Sequence, residues 1–218
     1  MNDETVFLVD DDPSILRALT RLLRAGGHQV SAFRSPGDFL AQHDATVPGC
    51  VVLDLAMPGL NGLELQTALT AAGCQRPIVF ISGHGDVPSS VRAMKAGAVD
   101  FLTKPVSEEN LLAAIQRAME RDRLMRRARV ELQAIGERLN RLTPREREVF
   151  QHVVAGQPNK QIAADLGTVE KTIKVHRSRV MEKMGVRSLA DLVRMAERIG
   201  PAAITASPGS RTPDTPLR

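Results

Sequence analysis

Over the first 105 residues, short apolar runs alternate with stretches of helical periodicity, and this alternation narrows the possible folds more than any other feature of the chain. Thr5 to Val9, His28 to Phe33, Gly49 to Leu55, Arg76 to Ser82 and Ala98 to Thr103 are short and rich in Val, Ile and Phe, which marks them as strands. Between them fall apolar residues at helical spacing: Ile15, Leu19, Leu22 and Leu23, then Phe39 and Leu40, then Leu63, Leu65 and Leu69, then Val91 and Met94. Parallel strands need a crossover of a dozen or more residues, commonly a helix, so five strands alternating with five helices imply a doubly wound parallel α/β sheet. A sheet of this kind places its functional site at the carboxyl ends of its strands.

The 218 residues suffice for one ordinary domain and a smaller one. No apolar run approaches the ~18 residues of a membrane span, and the start MNDETVFLVDDD lacks the charged head and apolar stretch of a secretory signal, so a cytoplasmic protein with no membrane role is expected. Cys50 and Cys74 show no metal-type spacing and read as buried, reduced thiols. Residues 1–106 hold 8 Lys and Arg against 11 Asp and Glu, a charge of −3, whereas the remainder holds 21 against 14, a charge of +7. A basic C-terminal half fits attraction to nucleic acid.

After Pro105 the pattern is wholly helical. One long helix is expected from Glu108 to about Arg141. Along it Met125, Leu132 and Leu139 recur every seven residues, as do Ala128, Ile135 and Leu142. Two readings of this stripe stand: a coiled-coil seam with a second copy, or packing against the protein's own domains. The expected division is 1–121, a helical linker 122–141, a helical domain 142–199, and a disordered tail from Gly200 rich in Pro, Ser, Thr and Gly.

Asp10, Asp11 and Asp12 follow the first strand, and Asp54 ends the third. Carboxylates gathered at neighbouring strand ends repel one another unless a divalent cation such as Mg²⁺ sits among them, and an aspartate held there can act as a nucleophile toward a phosphoryl group. For Asp12, ahead of Pro13 and Ser14, a helix-capping role is the competing reading. Ser82 adds a hydroxyl at the end of the fourth strand and Lys104 an ammonium at the end of the fifth, with Pro105 able to set the lysine's approach through a turn or cis bond.

VDDD at Val9 to Asp12, LDLAMPGLNGLEL at Leu53 to Leu65 and FISGHGDVPSSVRAMKAGAVDFLTKP at Phe80 to Pro105 together resemble the receiver domain of two-component response regulators, a flavodoxin-like fold. The resemblance implies that Asp54 accepts the phosphoryl group. It further implies that Asp11, Asp54 and the Ala56 carbonyl bind Mg²⁺ directly while Asp10 assists through water. Ser82 and Phe101 fall at the family's switch positions, and Lys104 at its phosphate-pairing lysine. In similar proteins the face of the fourth helix, fifth strand and fifth helix dimerises. The Gly83 to Pro88 segment, GHGDVP, is expected to be a flexible loop.

In the second half, Thr143 caps a helix with Pro144 at its first position and Glu146 three residues on, and Gly156 closes it. Asn159 is expected to cap the next, which ends at Gly167. A third follows with Ile173, Val180 and Met184 inward and Lys171, Lys174, His176, Arg177, Arg179 and Lys183 outward. A basic helix after a short glycine-containing turn suits the DNA major groove. LTPREREV, NKQIAADL and KTIKVHRSRVMEKMGVRS resemble the LuxR-type helix-turn-helix, and with the receiver they resemble a FixJ-type member of the NarL/FixJ regulators. That resemblance implies base or backbone contacts at Lys171, Thr172, Lys174, Val175 and Ser178, with Asn159, Lys160 and Arg179 near phosphates. Val169 stands where relatives usually have Ser, so Thr168 caps instead or the helix starts differently.

The expected function is a transcriptional regulator, most simply an activator: a sensor histidine kinase phosphorylates Asp54, the protein dimerises, and the DNA-bound dimer engages RNA polymerase. A DNA binder that works without phosphorylation and a phosphate sink or relay are the rivals. An enzymatic output is not expected, because the second half offers no nucleophile, base and orienting group together.

Overall fold

The computed structural model describes residues 4–83 and 87–205, with side chains through 200. The chain divides into two compact units, Met1–Arg126 and Arg127–Arg218. The first holds β1 (Thr5–Val9), α1 (Pro13–Ala25), β2 (Gln29–Phe33), α2 (Pro36–Gln42), β3 (Gly49–Asp54), α3 (Gly62–Ala71), β4 (Ile78–Ser82), α4 (Val87–Lys95) and β5 (Asp100–Thr103). It also takes the first part of α5 (Glu108–Asn140). All strand pairs are parallel in the order β2-β1-β3-β4-β5.

Strand alternation sorts the core into two layers. Val6, Leu8, Cys50, Val52, Val79 and Ile81 face α1 and α5, where Leu16, Leu23, Leu111, Ala114, Ile115 and Ala118 cover them. Phe7, Val9, Val51, Leu53, Ile78 and Phe80 face the other way, onto Phe39, Leu65, Leu69 and Ala93. Each fully buried large side chain here contributes about 1.5–3 kcal/mol of transfer free energy. Burial also pushes the Cys50 thiol up to about 12, so it stays protonated. Cys74 is only half-buried, unlike the expectation.

The first helix packs Leu19, Leu22 and Leu23 against the core as expected, but at its start Leu16 rather than the half-buried Ile15 is the buried residue, and α4 departs further from its expected pattern. Val91 and Met94 are exposed, while Ser89 and Ala93 are buried, because a small residue lets α4 lie close against the sheet. Residues 84–86 of the expected flexible loop lie outside the described residues.

Polar contacts fasten α5 to the amino end of the sheet. Asp122, buried, accepts from Gly49 N at 3.0 Å and Arg126 Nε at 2.7 Å, and Arg126 donates to the carbonyls of Thr46 and Val47 at 2.9 Å each. Arg123 makes a forked pair with Glu4.

The second unit holds the rest of α5, then α6 (Pro144–Val154), α7 (Asn159–Asp165), α8 (Glu170–Met184) and α9 (Leu189–Thr205). Its core joins Ile135 and Leu139 of α5 and Leu142 to Val149, Phe150, Val153, Ile162, Ile173, Val180, Met184 and Leu192. The stripe read as a possible coiled-coil seam is therefore spent, over Ile135, Leu139 and Leu142, on this domain's own core, while Leu132 remains exposed. Helix α9 continues five residues past the expected boundary at 200, through a break at Gly200, and residues 206–218 lie outside the described residues.

Candidate functional site

Two sites take shape, one in each unit. In the first, the register pairs Val9 with Leu53, so the next residues, Asp10 and Asp54, stand side by side where β1 and β3 end. Both carboxylates are buried, at 4% and 5% exposure, and β5 delivers the counter-charge. Lys104 Nζ donates to Asp10 Oδ2 at 2.8 Å and to Asp54 Oδ1 at 2.6 Å. The Lys104–Pro105 peptide is cis, one of the two forms expected from sequence.

Each remaining carboxylate oxygen is also occupied. Asp10 Oδ1 accepts from Asp12 N and Asp54 Oδ2 from Ala56 N, both at 2.9 Å, so the backbone holds the two side chains in place. Burial pushes the Asp54 carboxyl above its ordinary value, with the Lys104 ammonium opposing that rise. Burial disfavours the charged form of Lys104, but the hydrogen bonds to Asp10 and Asp54 outweigh it and raise the ammonium's value.

Asp11 is exposed beside this pair. Asp12 caps α1, accepting from Ser14 N at 2.7 Å, which supports the capping reading of that residue. Ser82 is buried at the end of β4, and its carbonyl accepts from Lys104 N at 2.7 Å. Phe101 is half-buried, its ring 6.3 Å from that of Phe80.

Sequence reasoning missed Gly62. A Cβ there would sit 2.6 Å from the Asp54 carbonyl oxygen and 3.0 Å from the Phe80 ring, so only glycine lets α3 begin this close to the site. The Asn61-Gly62 pair ahead of an amphipathic stretch was the available signal. The donors at this site are hard oxygens, which suit Mg²⁺ better than a thiolate-preferring metal. Among the described residues, no three His, Cys, Asp or Glu side chains already surround one point.

In the second unit, α7 and α8 are joined by a turn in which Gly167 adopts a φ of +62° and Thr168 N bonds the Ala163 carbonyl. Helix α8 buries Ile173, Val180 and Met184 on one side. On the other, Lys171, Lys174, Val175, Ser178 and Arg179 are exposed, Thr172 is half-buried, and Lys160 of α7 is exposed. A 3.2 Å ion pair from Lys174 to Glu170 lies on this surface.

Three details correct the sequence reading. Asn159 does not cap α7: Pro158 holds that position, and Asn159 Oδ1 instead accepts from Arg177 Nη1 at 3.1 Å, tying the two helices together. Thr168 does not cap α8 either. Val169 occupies the cap position with no side-chain bond, which a valine cannot make. Lys183, expected outward, turns back to Glu146 at 2.6 Å. Glu146 is nearly inaccessible and also completes the capping box with Thr143, so one carboxylate fastens the start of α6 to the end of α8.

Residues 6–116 match the response regulator receiver domain, and residues 140–196 match the bacterial regulatory proteins of the luxR family. Nodulation protein W of Bradyrhizobium diazoefficiens is 48% identical over 91% of this chain and 87% of its own length. The chain belongs to the FixJ-type response regulators. The transcriptional regulatory protein FixJ of Azorhizobium caulinodans is 42% identical over 90% of this chain and 93% of its own. The solved structure of response regulator StyR superposes with a TM-score of 0.80 at 46% identity, covering 90% of this chain and 99% of that one. This response regulator is accordingly a phosphorylation-controlled, DNA-binding transcriptional regulator with a sensor kinase as partner. Among the described residues, no helix is long and apolar enough to cross a membrane.

Proposed function

We propose that Asp54 is the phosphoacceptor. The observation that carries this is the Lys104 ammonium bonded to the Asp10 and Asp54 carboxylates together, which gathers a nucleophile, a second acid and a cation at one point. A carboxylate oxygen of Asp54 attacks the phosphorus of a phosphohistidine on the sensor histidine kinase, and the P–N bond breaks as the imidazole leaves. Asp10, Asp11, Asp54 and the Ala56 carbonyl would hold Mg²⁺, whose charge neutralises the transferring oxygens when bound. Lys104 then pairs with the new phosphoryl oxygens and Ser82 donates its hydroxyl to them. Phe101 follows Ser82, and Pro105 sets the approach of Lys104. The added charge of about −1.5 to −2 is what this rearrangement answers.

In the second unit Lys171, Thr172, Lys174, Val175 and Ser178 read bases or backbone, with Asn159, Lys160 and Arg179 near phosphates. Phosphorylation favours a homodimer whose two recognition helices bind a repeated half-site in the cytoplasm. The bound dimer contacts RNA polymerase and activates transcription, and the protein has no enzymatic output. Exposed Val91 and Met94 on α4 give the dimerising face apolar surface to bury.

The test is labelling by a radioactive phosphodonor. Wild type incorporates label and gains affinity for its DNA, whereas Asp54→Asn does neither. Labelling that survives in the variant overturns the assignment.

A further inference from the structure

The turn between α7 and α8 sets an apolar side chain at the tip of the basic helix. Gly167, at a φ of +62°, reverses the chain, and Thr168 N bonds the Ala163 carbonyl at 2.9 Å. Val169 then takes the cap position, with φ −102° and ψ 149°. Its carbonyl accepts from Thr172 N at 3.0 Å and from Ile173 N at 3.3 Å, which fixes its backbone to the first turn of α8. The side chain has no such anchor. It is 65% exposed, more than any other large apolar side chain among the described residues of α6 to α9.

Two local preferences are broken at this one position. Ser, Thr, Asn or Asp at a helix start bonds a free amide of the first turn, and valine cannot. The exposed isopropyl group also forgoes the gain from burial. Positions where a sequence works against its own local stability are expected at functional sites. In a helix-turn-helix, residues at the amino end of the second helix reach base edges in the major groove. Immediately beside Val169 stands the exposed carboxylate of Glu170, so a base edge suits this tip better than a phosphate oxygen.

We propose that Val169 packs against the 5-methyl group of a thymine in the bound half-site and is a specificity-determining residue of this regulator. The proposal rests on the reading of α8 as the recognition helix. The methyl group is the apolar feature that thymine presents in the major groove, and valine meets it with two methyl groups and no polar atom to desolvate. Cytosine presents no such methyl group, so the same contact selects against a C·G pair at that step.

The test uses the full chain, phosphorylated with acetyl phosphate, and the duplex that it selects from a random-sequence library. Each thymine of that duplex is replaced in turn by deoxyuridine, which removes only the methyl group, and binding is read by fluorescence anisotropy. At one thymine of each half-site the wild type should lose about fourfold in affinity, the worth of one buried methyl group. Val169→Ser should bind the thymine and deoxyuridine duplexes equally, while its Tm rises because the helix start gains a capping hydroxyl. A valine with only a structural role would change Tm and leave the methyl dependence intact. Methyl dependence that persists in Val169→Ser, or that is missing at every thymine in the wild type, overturns the proposal. Lys174→Ala on the same duplex separates this failure from that of the underlying reading. Weakened binding there upholds α8 as the reader, so a failed methyl test falls on Val169 alone, whereas unchanged binding removes both.

Discussion

The carboxylate site and the recognition helix use charge in opposite ways. Asp10, Asp54 and Lys104 come from three strand ends far apart in sequence, and two of the three are almost wholly buried. Lys171, Lys174 and Arg179 lie on one helix and face solvent. Burial lowers the effective dielectric, so the first set behaves as one coupled unit. Water screens the second set, whose members should act nearly independently.

Removing the shared cation should give the largest effect. Lys104→Ala leaves two carboxylates facing each other in a buried position and should cost about 3 kcal/mol of receiver stability, read by urea unfolding. Asp54→Asn in the same background should restore much of that loss. Simple additivity of the two substitutions would break the picture of a coupled site. By itself Asp54→Asn should leave stability at neutral pH equal or higher, because an aspartate whose folded value is raised costs stability once ionised.

Glu146 tests whether the second unit contains a coupled site of its own. Burial raises its carboxyl, but Lys183 and Thr143 outweigh this and hold it below its ordinary value of 4.5. A depressed value means stability present above pH 4.5 and lost as pH falls below it. Glu146→Gln should cost about 1–2 kcal/mol at neutral pH and flatten that acid limb, measured by thermal unfolding against pH. An unaltered acid limb would remove Glu146 as its cause.

The recognition helix should respond additively. Lys174→Ala should weaken binding to the specific site about tenfold, and Lys171→Ala should multiply that loss, both read by fluorescence anisotropy at fixed salt. A strongly non-additive pair would erase the contrast with the buried site. The smallest effect expected is on folding: breaking the exposed Lys174–Glu170 pair should change stability by less than about 0.5 kcal/mol.

The sequence alone determined the doubly wound sheet, the order of the helices and the clustering of Asp54 with Lys104. Strand alternation, helical periodicity and strand-end chemistry are properties of short segments, and the fold merely preserves them. The exposed residues of α8 were legible for the same reason, since a period of 3.6 assigns faces without a partner being known. Tertiary structure decided the rest. Val91 and Met94 kept helical spacing yet face outward, because the sheet accepts only Ser89 and Ala93 at that distance. Lys183 left the basic face for Glu146, and Asn159 gave up capping to bind Arg177, since each found a partner distant in the chain. Which of several reachable partners a long or polar side chain takes depends on distances that only the packed chain defines, and no local pattern encodes them.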